Sequence, residues 1–152
     1  EWWRLAVLGT LNIGAFQALL FVAAYRLPGG LAAVLGATQP LLVMGLVWLA
    51  DRRRPPALAL AAAGVGIVGM AAMLLGPDSR WDTLGAGAAL LGAACMAAGT
   101  WLGSRWRSGL PVLALTGWQL GIGGFVLLPL ALAFEAPLPP LAPAAVAGYA
   151  YL

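Results

Sequence analysis

The sequence predicts an all-α integral membrane protein, a polytopic bundle of transmembrane helices. Hydrophobic residues make up 62% of its 152 residues and charged residues only 9%, whereas a soluble domain has about 25% charged residues. The eight basic and five acidic residues fall in a few clusters, and the uncharged segments between clusters have the length of a membrane-spanning helix. These segments are continuous apolar runs, which excludes the alternating strands of a membrane β-barrel.

Six uncharged segments define the predicted spans A to F. A helix rises about 1.5 Å per residue, so roughly 20 residues cross the hydrocarbon core of a bilayer. Spans A to E have 21, 24, 23, 22 and 27 residues, and span F has 17. Because the joining segments are short, we expect consecutive spans to pack as antiparallel neighbours. The bounds of the six spans are 5–25, 27–50, 55–77, 83–104, 108–134 and 136–152.

The arginines predict which ends of the spans face the cytoplasm, because arginine and lysine are retained on that side. With the N-terminus inside, six of the eight arginines lie at cytoplasmic ends. They stand at helix ends and form no stripe, so no nucleic-acid partner is expected despite a pI near 9.8. Five tryptophans at span ends fit the headgroup belt. The cytoplasmic arginines are Arg4, Arg52, Arg53, Arg54, Arg105 and Arg107, the outer ones Arg26 and Arg80, and the belt tryptophans Trp2, Trp3, Trp48, Trp81 and Trp106.

A proline inside span B predicts an interrupted helix. Pro40 has no amide hydrogen, and its ring crowds the carbonyl of Gly36 four residues earlier. In lipid the freed carbonyl needs a partner, which water, a ligand or a neighbouring helix supplies when the helix lines a cavity. Gly36 and Pro40 are therefore predicted to let span B bend or open a carbonyl to a cavity.

Small residues in spans C, D and E predict close helix packing, because lipid provides little hydrophobic drive between helices. Span D repeats glycine every seven residues, and the other two spans carry shorter glycine patterns. The glycines are Gly85, Gly92, Gly99 and Gly103 in span D, Gly117 and Gly121 in span E, and Gly64, Gly66 and Gly69 in span C.

The spans contain no Asp, Glu, Lys, Arg or His, which argues against several kinds of function. Proton relays and intramembrane metal centres normally place ionisable residues at membrane depth. No phosphate-binding loop is present, and the single Cys95 allows no disulfide framework. The sequence therefore predicts neither an enzyme nor a bound cofactor or metal.

The interior groups that remain are polar but uncharged, or aromatic. A buried amide without a partner costs several kcal/mol in hydrocarbon, so these side chains should face a neighbouring helix or a wet cavity. In an α-helix Asn12 and Phe16 share one face, and Thr10 and Gln17 share another. The pattern favours a pocket for a neutral or zwitterionic molecule, and amides that only cross-link helices are the alternative. The candidate substrate-binding residues are Asn12, Phe16, Gln17, Gln39, Trp118, Gln119 and Tyr149.

Three consecutive motifs resemble helices three to five of the EamA-type drug/metabolite transporter superfamily. They are AAYRLPGGLAAVL, then TQPLLVMGLVWL, then the charged DRRRP. Asp51-Arg52 stands where the family commonly has Glu-Arg. GYAYL at 148–152 resembles the second-half counterpart of span A. The resemblance implies a ten-helix protein of two inverted five-helix halves, of which helices three to eight are present. Residues 1–77 would end the first half and residues 78–152 would begin the second.

The resemblance also implies a function. It is to the branch that lacks intramembrane charge, which exports aromatic and other neutral amino acids by alternating access through a multi-pass protein of the bacterial inner (plasma) membrane. The expected partners are a small neutral or zwitterionic substrate, chiefly an amino acid, and membrane lipid. A monomer and an oligomer both remain open. The alternatives are a carrier for other amphipathic metabolites or drugs, and a non-transporting membrane scaffold.

Overall fold

The protein is helical, and its helices follow the predicted spans. The computed structural model describes residues 2–74, 76, 81–106 and 109–134, and these contain no β-strand. Five helical stretches in this part of the chain are long and apolar enough to cross a membrane, which confirms an all-α polytopic membrane protein. They are Trp2–Arg26, Gly29–Asp51, Ala57–Leu74, Thr83–Arg105 and Val112–Ala133, corresponding to spans A to E. Span F lies outside the described residues.

Two of the spans are built from more than one helical piece. Span A consists of α1 (Trp2–Gly9), a π-helical segment (Thr10–Ala15) and α2 (Phe16–Arg26). Span B consists of α3 (Gly29–Gly36) and α4 (Gln39–Asp51), separated by two residues. Spans C, D and E are the single helices α5 (Ala57–Leu74), α6 (Thr83–Arg105) and α7 (Val112–Phe134).

Local sequence explains where these helices begin and end. Leu27 is extended (φ −113°, ψ 146°) because it precedes a proline, which disfavours the helical conformation in the residue before it. Asp82 caps α6: its Oδ1 accepts a hydrogen bond from the Gly85 N–H at 2.6 Å. Arg52 closes α4 in the left-handed conformation, with a φ of 55°.

Span D is the centre of the described bundle. It packs against every piece of spans A and B, span A also packs against α7, and α5 packs against span B. The lateral order is therefore E, A, D, B, C. The buried core lies where α2, α3 and α6 meet, and it consists of Ala23, Leu27, Leu31, Ala32, Ala88 and Ala89.

This order corrects the expectation that all consecutive spans are neighbours. Spans B and C are in contact, but the described residues show no extensive contact between spans C and D or between D and E. Eight residues separate α5 from α6, and six separate α6 from α7. An extended residue covers about 3.3–3.6 Å, so such connections can pass a helix of about 10 Å diameter.

The seven-residue glycine pattern of α6 is confirmed as the seam between spans D and A. A Cβ at Gly85 would lie 2.8 Å from Leu27 Cγ, and one at Gly92 would lie 3.4 Å from Leu19 Cβ. Further along, a Cβ at Gly103 would lie 3.8 Å from Leu8 Cδ2, so the two spans run antiparallel. The glycines predicted as seams in spans C and E have no described neighbour within 4 Å of a Cβ, and these are Gly64, Gly66, Gly69, Gly117 and Gly121.

Charged and aromatic side chains separate the two ends of the bundle. At the end that carries Arg4 and Arg105, here called the arginine-rich end, the rings of Trp3 and Trp106 meet edge to face at 4.8 Å. The Arg4 guanidinium lies 5.6 Å from the Trp3 ring and 5.9 Å from the Trp106 ring. At the opposite end Arg26 pairs with Asp82 at 3.8 Å. The start of span A therefore lies beside the end of span D, and the end of span A beside the start of span D, as expected if the two spans run in opposite directions.

Candidate functional site

Two of the predicted substrate-binding amides meet in the structure. Asn12 Nδ2 donates a hydrogen bond to Gln119 Oε1 at 3.0 Å, which joins span A to span E. Both residues are partly buried. Gln119 lies seven residues into α7, about 10 Å along the helix axis from Val112. The pair thus places hydrogen-bonding groups inside a membrane-spanning bundle.

Asn12 stands in the middle of the π-helical segment Thr10–Ala15. A π-helical turn holds more residues than an α-helical turn and is frequent at functional sites. Thr10 and Gln17 would share a face in an uninterrupted α-helix. The π-helical segment between them changes the spacing, so this prediction does not apply here. Asn12 and Phe16 still both reach α6, at Gly99 and Gly92 respectively. The sequence shows no proline or other signal that would have predicted the π-helical segment.

The Asn12 side chain lies against the backbone of Gly99. The position that a Cβ would occupy on Gly99 overlaps Asn12 Oδ1 and lies 2.7 Å from its Cγ, so only glycine leaves room for this amide. Asn12 Oδ1 is buried and accepts no hydrogen bond among the described residues. The glycine spacing marked Gly99 as a packing residue, but the sequence did not indicate that its neighbour is a polar side chain.

Spans A and E approach closely through glycines on both helices. A Cβ on Gly9 would lie 2.9 Å from Ile122 Cβ and 3.1 Å from the Gln119 carbonyl oxygen. A Cβ on Gly123 would overlap Ile13, and one on Gly14 would lie 3.0 Å from Val126 Cγ1. This close approach is what lets two short amide side chains reach each other across the interface.

In the part of the chain that the structure describes, no hydrogen bond joins the other two predicted amides to this pair. Gln39 is the first residue of α4, which packs against α5 and α6 and not against α7. Gln17 lies in α2, beyond the π-helical segment, and is partly buried. Tyr149, also predicted for the site, lies outside the described residues.

The predicted interruption of span B falls between Gly36 and Gln39. Thr38 N donates to the Leu35 carbonyl at 3.2 Å, and Thr38 Oγ1 donates to the same carbonyl at 2.6 Å. Pro40 therefore occupies the first turn of α4, where its missing N–H breaks no helical bond. Since α4 has no buried residue and α3 buries Leu31, Ala32 and Val34, the half of span B beyond the interruption is the more loosely packed half.

Trp118 packs against Trp2, the first described residue of span A. Its ring meets that of Trp2 edge to face, with centroids 4.9 Å apart. Helix α7 begins at Val112 and not at Ser108, so Trp118 is only six residues, about 9 Å, from the helix start. The aromatic pair therefore lies beside the predicted headgroup belt, while Gln119 points from the same turn towards span A.

The pair of amides can bind a ligand but cannot transfer a proton, because carboxamides do not titrate. Neither side chain is charged. Such a site suits a neutral or zwitterionic molecule that exchanges hydrogen bonds with amide groups.

Comparison with known proteins finds similarity to one family and to one curated relative. Residues 1–75 match the EamA-like transporter family. The chain is 42% identical over 153 residues to Protein PecM of Dickeya dadantii (strain 3937), an alignment that covers 99% of this chain and 51% of PecM. The chain therefore spans about half the length of the curated relative that it matches. No solved structure matches the chain. The chain is therefore similar to the EamA-like transporter family over residues 1–75 and to PecM over nearly its whole length.

Proposed function

We propose that the chain, which resembles the EamA-like transporter family over residues 1–75, belongs to a carrier for neutral, chiefly aromatic, amino acids and related small metabolites. The carrier exports these molecules, or facilitates their movement, across the bacterial inner membrane by alternating access. The proposal covers the whole protein, of which this chain supplies five described spans.

The observation that carries the proposal is the Asn12–Gln119 hydrogen bond between spans A and E. Polar side chains inside a membrane bundle are rare because they cost free energy in hydrocarbon, so they mark substrate paths. The spans around the pair carry charged residues only near their ends, which favours a substrate without net charge.

Aromatic residues on the same two spans as the amide pair support an aromatic substrate. Phe16 follows the π-helical segment and lies beside Gly92, and Trp118 adjoins Gln119 in sequence. Trp118 is 45% exposed, so its ring has surface that a ligand can cover. We propose that these rings bind the apolar part of the substrate after the amides bind the polar part.

The proposed division of the chain places 1–77 at the end of one five-helix half and 78–152 at the start of an inverted half. The family match ends at residue 75, which is consistent with that boundary. PecM is about twice as long as this chain, and that length is consistent with a ten-helix protein.

Counterflow of radiolabelled phenylalanine in proteoliposomes tests the proposal. We expect the reconstituted protein to accumulate label, and Asn12→Ala and Gln119→Ala each to raise KM about tenfold, the effect of losing one hydrogen bond of about 1.4 kcal/mol. Thr116→Val is the matched control, because Thr116 lies one turn earlier on the same helix and donates only to the Val112 carbonyl.

The possible outcomes separate the alternatives. Counterflow that neither amide variant alters would remove the pair from the substrate path. Absence of counterflow for phenylalanine and for other neutral amino acids would reject an amino acid carrier, and counterflow of an amphipathic dye or drug would then identify a different substrate class. Absence of all counterflow would favour a membrane scaffold.

A further inference from the structure

We propose that Gly99 is a positioning residue that orients the Asn12 amide, so that the Asn12–Gln119 pair presents N–H groups to the substrate. This inference rests on the proposed function and adds to it a residue on span D and a polarity for the site. It predicts that the substrate must present an oxygen atom to the pair.

Gly99 differs from the other glycines of the α6 seam in the side chain that it meets. For the other three glycines of the α6 seam, the atom nearest to an added Cβ belongs to a leucine side chain: Leu27 at Gly85, Leu19 at Gly92 and Leu8 at Gly103. Gly99 alone among them has a carboxamide in the space of its missing side chain. An added methyl group would displace the Asn12 side chain from α6, whereas Gly92 and Gly103 leave ordinary contact distances of 3.4 and 3.8 Å.

The Asn12 amide turns its oxygen, and not its nitrogen, towards Gly99. The oxygen Oδ1 faces α6 and is buried, and Nδ2 faces Gln119. A buried oxygen over a glycine Cα can receive a weak Cα–H···O contact. A buried NH₂ group in the same place would leave two donors without an acceptor, which costs more. The glycine backbone therefore favours the observed orientation.

The hydrogen-bonding groups of Asn12 and Gln119 that take no part in their mutual bond are mostly N–H donors. One oxygen of the pair is buried against Gly99, and the other, Gln119 Oε1, already accepts from Asn12. A carboxamide NH₂ has two donors, so the second Asn12 N–H and both Gln119 N–H groups are not used by this bond. The pair therefore offers mainly donors, which are complementary to a carboxylate or carbonyl oxygen of a substrate.

A mutant cycle in the proteoliposome assay tests the positioning role. We expect Gly99→Ala to raise KM for phenylalanine about tenfold, as Asn12→Ala does, and the double variant to be no worse than Asn12→Ala alone. Gly103→Ala is the matched control on the same seam, because its Cβ would meet only Leu8 at 3.8 Å, and it should leave KM within twofold of the wild-type value. An unchanged KM in Gly99→Ala, or effects of the two single substitutions that multiply, would overturn the proposal.

The predicted polarity is tested on the unmodified protein. Phenethylamine lacks the carboxylate of phenylalanine, so it should inhibit phenylalanine counterflow at least tenfold more weakly. This preference should shrink in Asn12→Ala. Equal inhibition by the two compounds would show that the pair does not bind an oxygen of the substrate.

A stability measurement keeps the test independent of transport and of the proposed function. With the natural Gly99, the Asn12→Ala/Gln119→Ala double variant should lower the unfolding midpoint by less than the sum of the two single variants, because both substitutions remove the same hydrogen bond. The same two substitutions should become additive in the Gly99→Ala background. Coupling that persists in that background would show that Gly99 does not orient Asn12, even if the protein transports no amino acid.

Discussion

Asp51 and Arg105 form an ion pair that joins the end of span B to the end of span D. They are the last residues of α4 and α6, and the Asp51 carboxylate also accepts a hydrogen bond from Trp101 Nε1 at 3.3 Å. The Arg105 guanidinium lies 4.7 Å from the centre of the Trp101 ring. Because α4 buries no residue along its length, these contacts are the main polar attachment of its far end to the rest of the bundle.

Removing the Asp51 charge should loosen this attachment measurably but modestly. The side chains of Arg105 and Asp51 are 51% and 21% exposed, so the ion pair contributes about 0.2–1 kcal/mol. Asp51→Asn should therefore lower the unfolding midpoint in detergent by no more than about 4 °C, and less at high salt. Arg53→Gln, which removes an exposed arginine at the same end, is the control. An equal decrease in the control would show that any change of charge at this end destabilises the protein, and would remove the special role of the pair.

Two prolines at membrane depth should respond differently to alanine. Pro40 lies in the first turn of α4, so Pro40→Ala should change the free energy of unfolding by less than about 1 kcal/mol. Pro129 lies inside α7, where proline costs up to about 3 kcal/mol, so Pro129→Ala should be clearly stabilising. Denaturant titration of both variants in the same detergent makes the comparison. A large gain for Pro40→Ala would mean that span B is strained at its interruption.

Two adjacent glycines of α7 should differ in their tolerance of a methyl group. A Cβ on Gly123 would overlap Ile13 of span A, whereas one on Gly124 meets no described atom within 4 Å. Overpacking of this kind costs about 1–3 kcal/mol, so Gly123→Ala should lower the unfolding midpoint and Gly124→Ala should not. Equal behaviour of the two variants would contradict the observed packing of α7 against span A.

The start of α6 should depend on the shape of Asp82 more than on its charge. Its Oδ1 caps the helix by accepting from the Gly85 N–H, while its pair with Arg26 spans 3.8 Å between side chains that are 48% and 38% exposed. Asp82→Ala should therefore cost about 1 kcal/mol, and Asp82→Asn should cost only a few tenths because asparagine caps as well as aspartate. Both free energies come from denaturant titration. A loss in Asp82→Asn that matched Asp82→Ala would make the ion pair the important contact.

Features that depend on the chain locally were predictable. A span must be apolar over the thickness of the bilayer, so the uncharged stretches marked five helices in the described residues, and the arginine and aspartate clusters marked their ends. The interruption near Pro40 was also indicated by the residue itself. Pro129 shows the limit of that signal, since α7 continues through it.

Which residues form the candidate site was only partly predictable. Asn12 and Gln119 were expected to seek partners because lipid offers none, but nothing in the sequence distinguished them from Gln17 and Gln39. The start of α7 at Val112 was not evident either, because the apolar stretch begins four residues earlier.

The sequence by itself determined how many described segments can cross the membrane and where each one ends, because those properties follow from the free energy of placing each residue in hydrocarbon. The tertiary structure decided the lateral order of the spans and the π-helical segment at Asn12. It also decided that Gly99 contacts a neighbouring span closely, whereas, among the described residues, Gly117 and Gly121 do not. Glycines look alike in a sequence, and only the rotation of one packed helix against another decides which of them meets a neighbour.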